Sequence, residues 1–267
     1  MPRASTWFLG AAMSGDCLAA GGPAVALSII LPAHNCQGHL ADSVSFLQRG
    51  LAAGEAEVVI VENDSVDGTW PLARYLEGST HGIPIRAIQS GKGLGRAYVA
   101  GIAAARCRHV LLTADDLPFG LSDIRAWRQQ SVADLVLGSK AHPDWVVDRT
   151  LVRQAMSLVF RALRLVVLGM RVRDCQGTPF ARREWLQDLA PHLREGGYLS
   201  STEIVYAAQR QGLTIVEVPV ELRPSFSGTR IHVDDIVSMA VGLGRLRGAG
   251  SRLDRPCVPA MPTDSVA

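Results

Sequence analysis

Two adjacent carboxylates, Asp115 and Asp116, follow the apolar run HVLLT (109–113) and precede Leu117 and Pro118. Neighbouring carboxylates at the end of a buried strand are desolvated and repel each other, so they call for a cation or for water. A hard divalent ion bridging to a diphosphate is one chemistry that fits. A helix-capping acid beside a solvated neighbour is the other. A second element, SGKGLGR (90–96), opens a helical stretch. Its glycines would let backbone N–H groups approach an anion, and Lys92 would add charge. It lacks the GK[ST] order of a Walker loop and a full GxGxxG.

The elements that must position these residues alternate. Apolar runs at 25–31, 57–61, 85–88, 109–113 and 134–138 predict strands. Helical stretches are expected at 38–53, from Asp67, Thr69 and Pro71 onwards, at 94–105 and at 122–130. This alternation predicts an α/β fold with a doubly wound, mostly parallel sheet. Ligands of such sheets bind beyond the carboxyl ends of the strands. Here those ends carry Pro32, His34 and Asn35, then Glu62, Asn63, Asp64 and Ser65. They continue with Ser90, Gly91 and Lys92, with Asp115 and Asp116, and with Ser139 and Lys140.

After Ser139 the pattern changes. Residues 150–173 hold Arg153, Arg161, Arg164, Arg171 and Arg173 and no acid. At ~100° per residue, Arg153, Arg161 and Arg164 share one face of an otherwise apolar helix. Such a helix suits a bilayer interface, or a core helix with a solvated stripe. Residues 236–246 form a second apolar stretch, too short to span a bilayer. The expected organisation is a flexible leader (1–24), one catalytic domain (25–230), a short apolar helical segment (231–248) and a disordered tail (249–267). A net charge of +2 gives no argument for a nucleic-acid partner. Five scattered cysteines fit a reduced, cytoplasmic protein, and the seven histidines form no HExxH pair.

The order of the pieces resembles the family 2 glycosyltransferases, within them the dolichol-phosphate mannose synthase and polyprenyl-phosphate glycosyltransferase group. The pieces are LSIILPAHN (27–35), VVIVENDSVDGT (58–69), GKGLGRAYVAGI (91–102) and LLTADDLPFG (111–120). GSK (138–140), Arg153 with Ser157, DCQGTPFARR (174–183), STEI (201–204) and EVPV (217–220) follow, before a basic element at 223–230.

The resemblance implies a GT-A fold and inverting transfer from a nucleoside-diphosphate sugar to a polyprenyl phosphate. It implies a peripheral position at the cytoplasmic face of the membrane, and magnesium or manganese as cofactor. Pro32, His34, Glu62 and Asn63 would contact the nucleoside, with Lys92 and Asp115 near the nucleotide-sugar. Asp115 and Asp116 would stand for the metal-binding DxD element. Lys140, Arg153, Ser157, Gln176, Arg223 and Arg230 would face the diphosphate or the acceptor phosphate, and Asp174 would be the base. Three positions depart from the pattern: Cys36 replaces an acid, Glu62-Asn63 replaces two aspartates, and the DxD is shifted by a residue. A soluble transferase with a small or protein acceptor, and a silent GT-A relative acting as a binding subunit, are the alternatives.

Overall fold

The computed structural model describes residues 27–79, 82–130, 133–139, 151–197, 199–223 and 233–254, with backbone only for 151–157 and 233–239. The expected leader and residues 255–267 lie outside this set. Strands β1 (Leu27–Ala33) and β2 (Ala56–Glu62) are buried at every position. Continuous apolar runs of this kind belong to central parallel strands covered on both faces. With β3 (Ile85–Gln89), β4 (His109–Leu112), β5 (Leu135–Ser139), β6 (Thr178–Arg182) and β7 (Ile215–Pro219) they form one seven-stranded sheet of order β3-β2-β1-β4-β6-β5-β7.

Helices cover both faces of this sheet. On one lie α1 (Leu40–Gly50), α2 (Thr69–Glu77) and α4 (Ser122–Arg128), packed on Ile29, Leu31, Val58 and Ile60. On the other lie α3 (Leu94–Ala104), α5 (Leu151–Leu168), α6 (Arg183–Leu189), α7 (Ser200–Arg210), α8 (Val233–Gly248) and α9 (Gly250–Leu253) around Ile30, Val59 and Val61. The start signals for α2 operate as expected: the Asp67 carboxylate accepts the Thr69 N–H at 3.0 Å. The architecture is α/β and mostly parallel.

Strand β6 departs from the simple alternation. It runs antiparallel between β4 and β5, with Leu111 opposite Phe180 and Gly138 opposite Thr178. Its reversed direction brings the residues just before it, Asp174 to Gly177, to the carboxyl ends of β4 and β5. A Cβ at Gly177 would lie 1.9 Å from the Gly138 carbonyl oxygen, so only glycine admits this approach.

Two further expectations are corrected. The tail from 249 is not wholly irregular: α9 is helical, Leu253 is buried, Arg252 pairs with Glu203 at 2.8 Å, and Arg210 pairs with Asp254. The proline-bearing part of the tail, from residue 255 on, lies outside the described residues. Arg164 does not sit on a solvated stripe. It is buried, donates to the Val172 and Arg173 carbonyls at 3.2 and 2.9 Å, and lies over the Phe160 ring. The chain leaving α5 needs donors for its carbonyls, and Arg164 supplies them.

Candidate active site

The carboxyl ends of β1, β2 and β4 are neighbours in the sheet, and hydrogen bonds tie their loops together. Pro32 is buried inside β1 and shapes the strand end. His34 meets the Asn63 carbonyl through Nδ1 at 2.9 Å, and Asn63 N–H donates to the Ala33 carbonyl. The Asn35 side chain accepts the Val66 N–H, and its own N–H donates to Ser65 Oγ. Glu62 is buried and accepts the Ser65 N–H at 2.5 Å and Gln89 Nε2 at 2.8 Å. Burial raises its pKa, but these donors and the nearby His34 outweigh it, so the carboxyl lies below its ordinary value. Glu62 therefore fixes a loop as a carboxylate. Asn63 is also buried, and its Oδ1 meets no hydrogen-bond partner among the described residues. A buried acceptor left open costs about 1–3 kcal/mol unless a ligand donor meets it.

Backbone strain collects at the same edge. Asn35, Asp64 and Leu117 are the non-glycine residues with positive φ among those described, at 51°, 68° and 47°. They lie in the loops that follow β1, β2 and β4. For a γ-branched residue such as Leu117 the left-handed region costs on the order of 1–3 kcal/mol. The strained turn is the one that carries Asp115 and Asp116.

Asp115 is partly buried and meets His39 Nε2 at 3.1 Å. The thiol of Cys36 lies against it, and Cys36 Sγ, a His39 ring nitrogen and an Asp115 carboxylate oxygen all fall within 4.8 Å of one another. Burial, with the Asp115 charge adding, pushes the Cys36 thiol up to about 12. Tyr98 donates its hydroxyl to the Thr113 carbonyl at 3.2 Å beneath this turn. A hard divalent ion fits here, because magnesium needs only one or two carboxylates when phosphate oxygens and water complete its shell. Asp115, with Asp116 beside it, offers that many.

The glycine-rich element also packs against a distant segment of the chain. Gly95 donates its N–H to the Gly196 carbonyl at 3.0 Å, and a Cβ at Gly95 would lie 1.9 Å from the Glu195 oxygen. Gly93 and Gly95 admit a neighbouring backbone. That segment is itself held by Glu203, fully buried, which accepts the N–H groups of Arg194 and Glu195. Lys92 stands exposed in the turn before α3.

Asp174 is partly exposed at the β6 approach, where its carboxylate accepts the Gln176 N–H. Glu217 of β7 holds the turn by accepting the N–H groups of Arg173 and Asp174. The sequence reading missed this support. Gln176 is exposed. Arg223 donates its N–H to the Pro118 carbonyl, which seats it on the acidic turn, while its guanidinium stacks 4.3 Å from the Phe46 ring. Lys140 and Arg230 lie outside the described residues. Arg153 and Ser157 lie on α5, where only the backbone is described.

Comparison with known proteins places this geometry in a family. Residues 28–190 match the family model of Glycosyl transferase family 2. Glycosyltransferase AglD of Haloferax volcanii is 26% identical over 82% of this chain, a match spanning only 36% of that protein. Dolichyl-phosphate beta-glucosyltransferase of Dictyostelium discoideum is 27% identical, covering 83% of this chain and 73% of the relative. Undecaprenyl-phosphate mannosyltransferase of Micrococcus luteus is 29% identical, covering 63% of this chain and 72% of the relative. Among solved structures, glucosyl-3-phosphoglycerate synthase from Mycobacterium tuberculosis in complex with uridine diphosphate superposes with a TM-score of 0.58 at 20% identity. That match covers 87% of this chain and 82% of the other. The matched residues include the whole strained edge from Asn35 to Asp116, and the chain belongs to the family 2 glycosyltransferases, with the GT-A fold.

Proposed function

We propose that the protein transfers a sugar, with inversion, from a nucleoside-diphosphate sugar to a polyprenyl phosphate at the cytoplasmic face of a membrane. The observation that carries this reading is the convergence of strained, hydrogen-bonded loops bearing Asn35, Glu62, Asn63 and Asp115 on neighbouring strand ends. His34, Glu62 and Asn63 shape the nucleoside site above Pro32, and the open Oδ1 of Asn63 is suited to a base N–H. Lys92, exposed in the turn before α3, and Arg223, seated on the acidic turn, would supply positive charge. Asp115 and Asp116 would hold magnesium or manganese, which offsets the charge developing on the leaving diphosphate. Structures of the mycobacterial synthase contain manganese with uridine diphosphate, which supports a divalent ion here. Asp174 is the candidate base. A phosphate acceptor is already anionic, so that base has little to remove.

The acceptor reading is supported by the names of two relatives and by an apolar face. On α5, Leu158, Val159, Leu165 and Val166 are 51–76% exposed, beside the exposed Arg161. Helix α8 packs on α5 and adds exposed Val241, Arg245 and Arg247. No helix among the described residues is long and apolar enough to cross a membrane. An interfacial seat brings the site to an acceptor whose chain stays in the lipid. A soluble phosphorylated acceptor is the second reading, favoured by the mycobacterial synthase structure that holds phosphoglyceric acid.

The test is transfer from a panel of sugar nucleotides to polyprenyl phosphate in vesicles, run beside phosphoglyceric acid in solution. Transfer to the lipid supports the proposal, and transfer to the soluble acid alone replaces it with the second reading. Asp116→Ala is expected to weaken metal-dependent binding of the nucleoside diphosphate more than binding of the nucleoside. Calorimetry showing equal losses would remove the metal role of this turn.

A further inference from the structure

The convergence of Cys36, His39 and Asp115 mixes a thiol, an imidazole and a carboxylate within 4.8 Å. That set differs from the all-oxygen shell that magnesium or manganese prefers. Two of the three come from one turn: Cys36 and His39 are three residues apart, and the Cys36 carbonyl accepts the N–H groups of His39 and Leu40 at 3.1 and 3.0 Å. Thr69 pins the turn from α2, its Oγ1 accepting the Cys36 N–H at 2.9 Å. The third comes from the strained turn after β4, already drawn to His39 at 3.1 Å. Ligand atoms around a tetrahedral ion with bonds of about 2.0–2.3 Å stand about 3.5 Å apart. The carboxylate–imidazole pair stands at 3.1 Å, and the sulfur lies within 4.8 Å of both partners.

We propose that Cys36, His39 and Asp115 form a site for a thiophilic divalent cation of the zinc class, with one coordination position left open. Three protein ligands of N, S and O type with a free fourth position are the donor set of an open zinc site. Cys36 is buried, so a metal–sulfur bond there would be shielded from water. Binding there replaces the thiol proton with the metal and releases that proton to solvent. The site goes beyond the donor-binding reading and shares only Asp115 with it. A zinc-class ion bound in it takes that carboxylate from the harder ion.

Cobalt is a spectroscopic stand-in for zinc, and no nucleotide is needed, so failure of the sugar-transfer reading leaves the test intact. Cobalt titrated into the reduced full chain is expected to give a saturable near-ultraviolet sulfur-to-cobalt charge-transfer band. Zinc should abolish the band, and excess magnesium should not. Cys36→Ser should remove it. His39→Gln, at a half-exposed position that folding tolerates, should weaken cobalt binding by about tenfold or more, since loss of even an outer partner of a ligand costs about that much. No band, a band that survives Cys36→Ser, displacement by magnesium, or unchanged affinity in His39→Gln would each overturn the proposal.

Discussion

The strand-end edge and the α5–α8 face use their surfaces in opposite ways. At the edge, loops are fixed by short-range hydrogen bonds to main chain: His34 to Asn63, Asn35 to Val66, Glu62 to Ser65. On the helical face, Leu158, Leu165 and Val166 are exposed among the described residues. The first region spends strain to hold polar groups in place, as recognition of a fixed ligand requires. The second leaves apolar area uncovered, as contact with a fluid or variable surface permits. One domain carries both, which suits a substrate pair of unlike solubility.

The element between the two regions is the place to break the comparison hardest. Glu203 holds the 194–196 segment that packs on Gly95, and it pairs with Arg252 of α9. Removing one partner of a buried pair leaves the other charge and several N–H groups uncompensated. Glu203→Ala should therefore lower unfolding stability by about 3–5 kcal/mol and loosen the Lys92 turn with it. Urea unfolding with a loss below about 1 kcal/mol would show that the two regions are not joined through this residue.

A smaller effect separates the regions instead. Burying a leucine or valine in an apolar phase is worth about 1.5–3 kcal/mol each, and charge on the same face opposes it. The double change Leu165→Asp with Val166→Asp should cut binding to anionic vesicles by at least about tenfold. Nucleoside diphosphate binding at the strand edge should stay as it was. Binding of the parent protein should fall with salt, because the share from Arg161, Arg245 and Arg247 is screened, but the apolar share should persist. Vesicle sedimentation unchanged by the double substitution would take the membrane role from α5.

The sequence makes the edge far more legible than the rest. Strands β1 to β5 announce themselves as apolar runs, and hydrogen bonds link the polar residues just beyond β1, β2 and β4. Strand β6 does not, because TPFAR carries a proline and pairs with strands far off in the chain. Helix α7 begins with Ser200 to Glu203, all buried, so its polar start hides a core position from any periodicity argument. The glycines of SGKGLGR look like an anion loop, yet the backbone they admit lies a hundred residues away. Arg164 shares a helical face with Arg161 by spacing, but the carbonyls it serves appear only once the chain turns back. Local pattern reports local burial; it is silent where a distant segment decides the role.

A last contrast, confined to one pH window, sets two buried carboxylates side by side, Glu62 at the edge and Asp123 at the start of α4. Both accept hydrogen bonds, Asp123 from Thr178 Oγ1 at 3.0 Å and the Ile124 N–H at 2.8 Å. For Glu62 the donors win, and its folded pKa is depressed. For Asp123 burial wins over both donors, and its pKa is raised from 3.8 to about 6. The signs of their pH dependence are therefore opposite. Glu62 contributes stability present above its ordinary value and lost as pH falls through its folded pKa. Asp123 keeps its proton in the folded state between about pH 4 and 6 while the unfolded chain releases it, so stability falls as pH rises through that window and levels off above it. Asp123→Asn removes the titrating group, and the Thr178 hydroxyl can turn from donor to acceptor to meet the new amide. Urea unfolding from pH 4 to 7 should give a parent-minus-variant stability difference that declines up to about pH 6 and is flat beyond. Curves that stay parallel throughout would mean that Asp123 ionises near its ordinary value, and that its two hydrogen bonds offset burial as fully as those at Glu62 do.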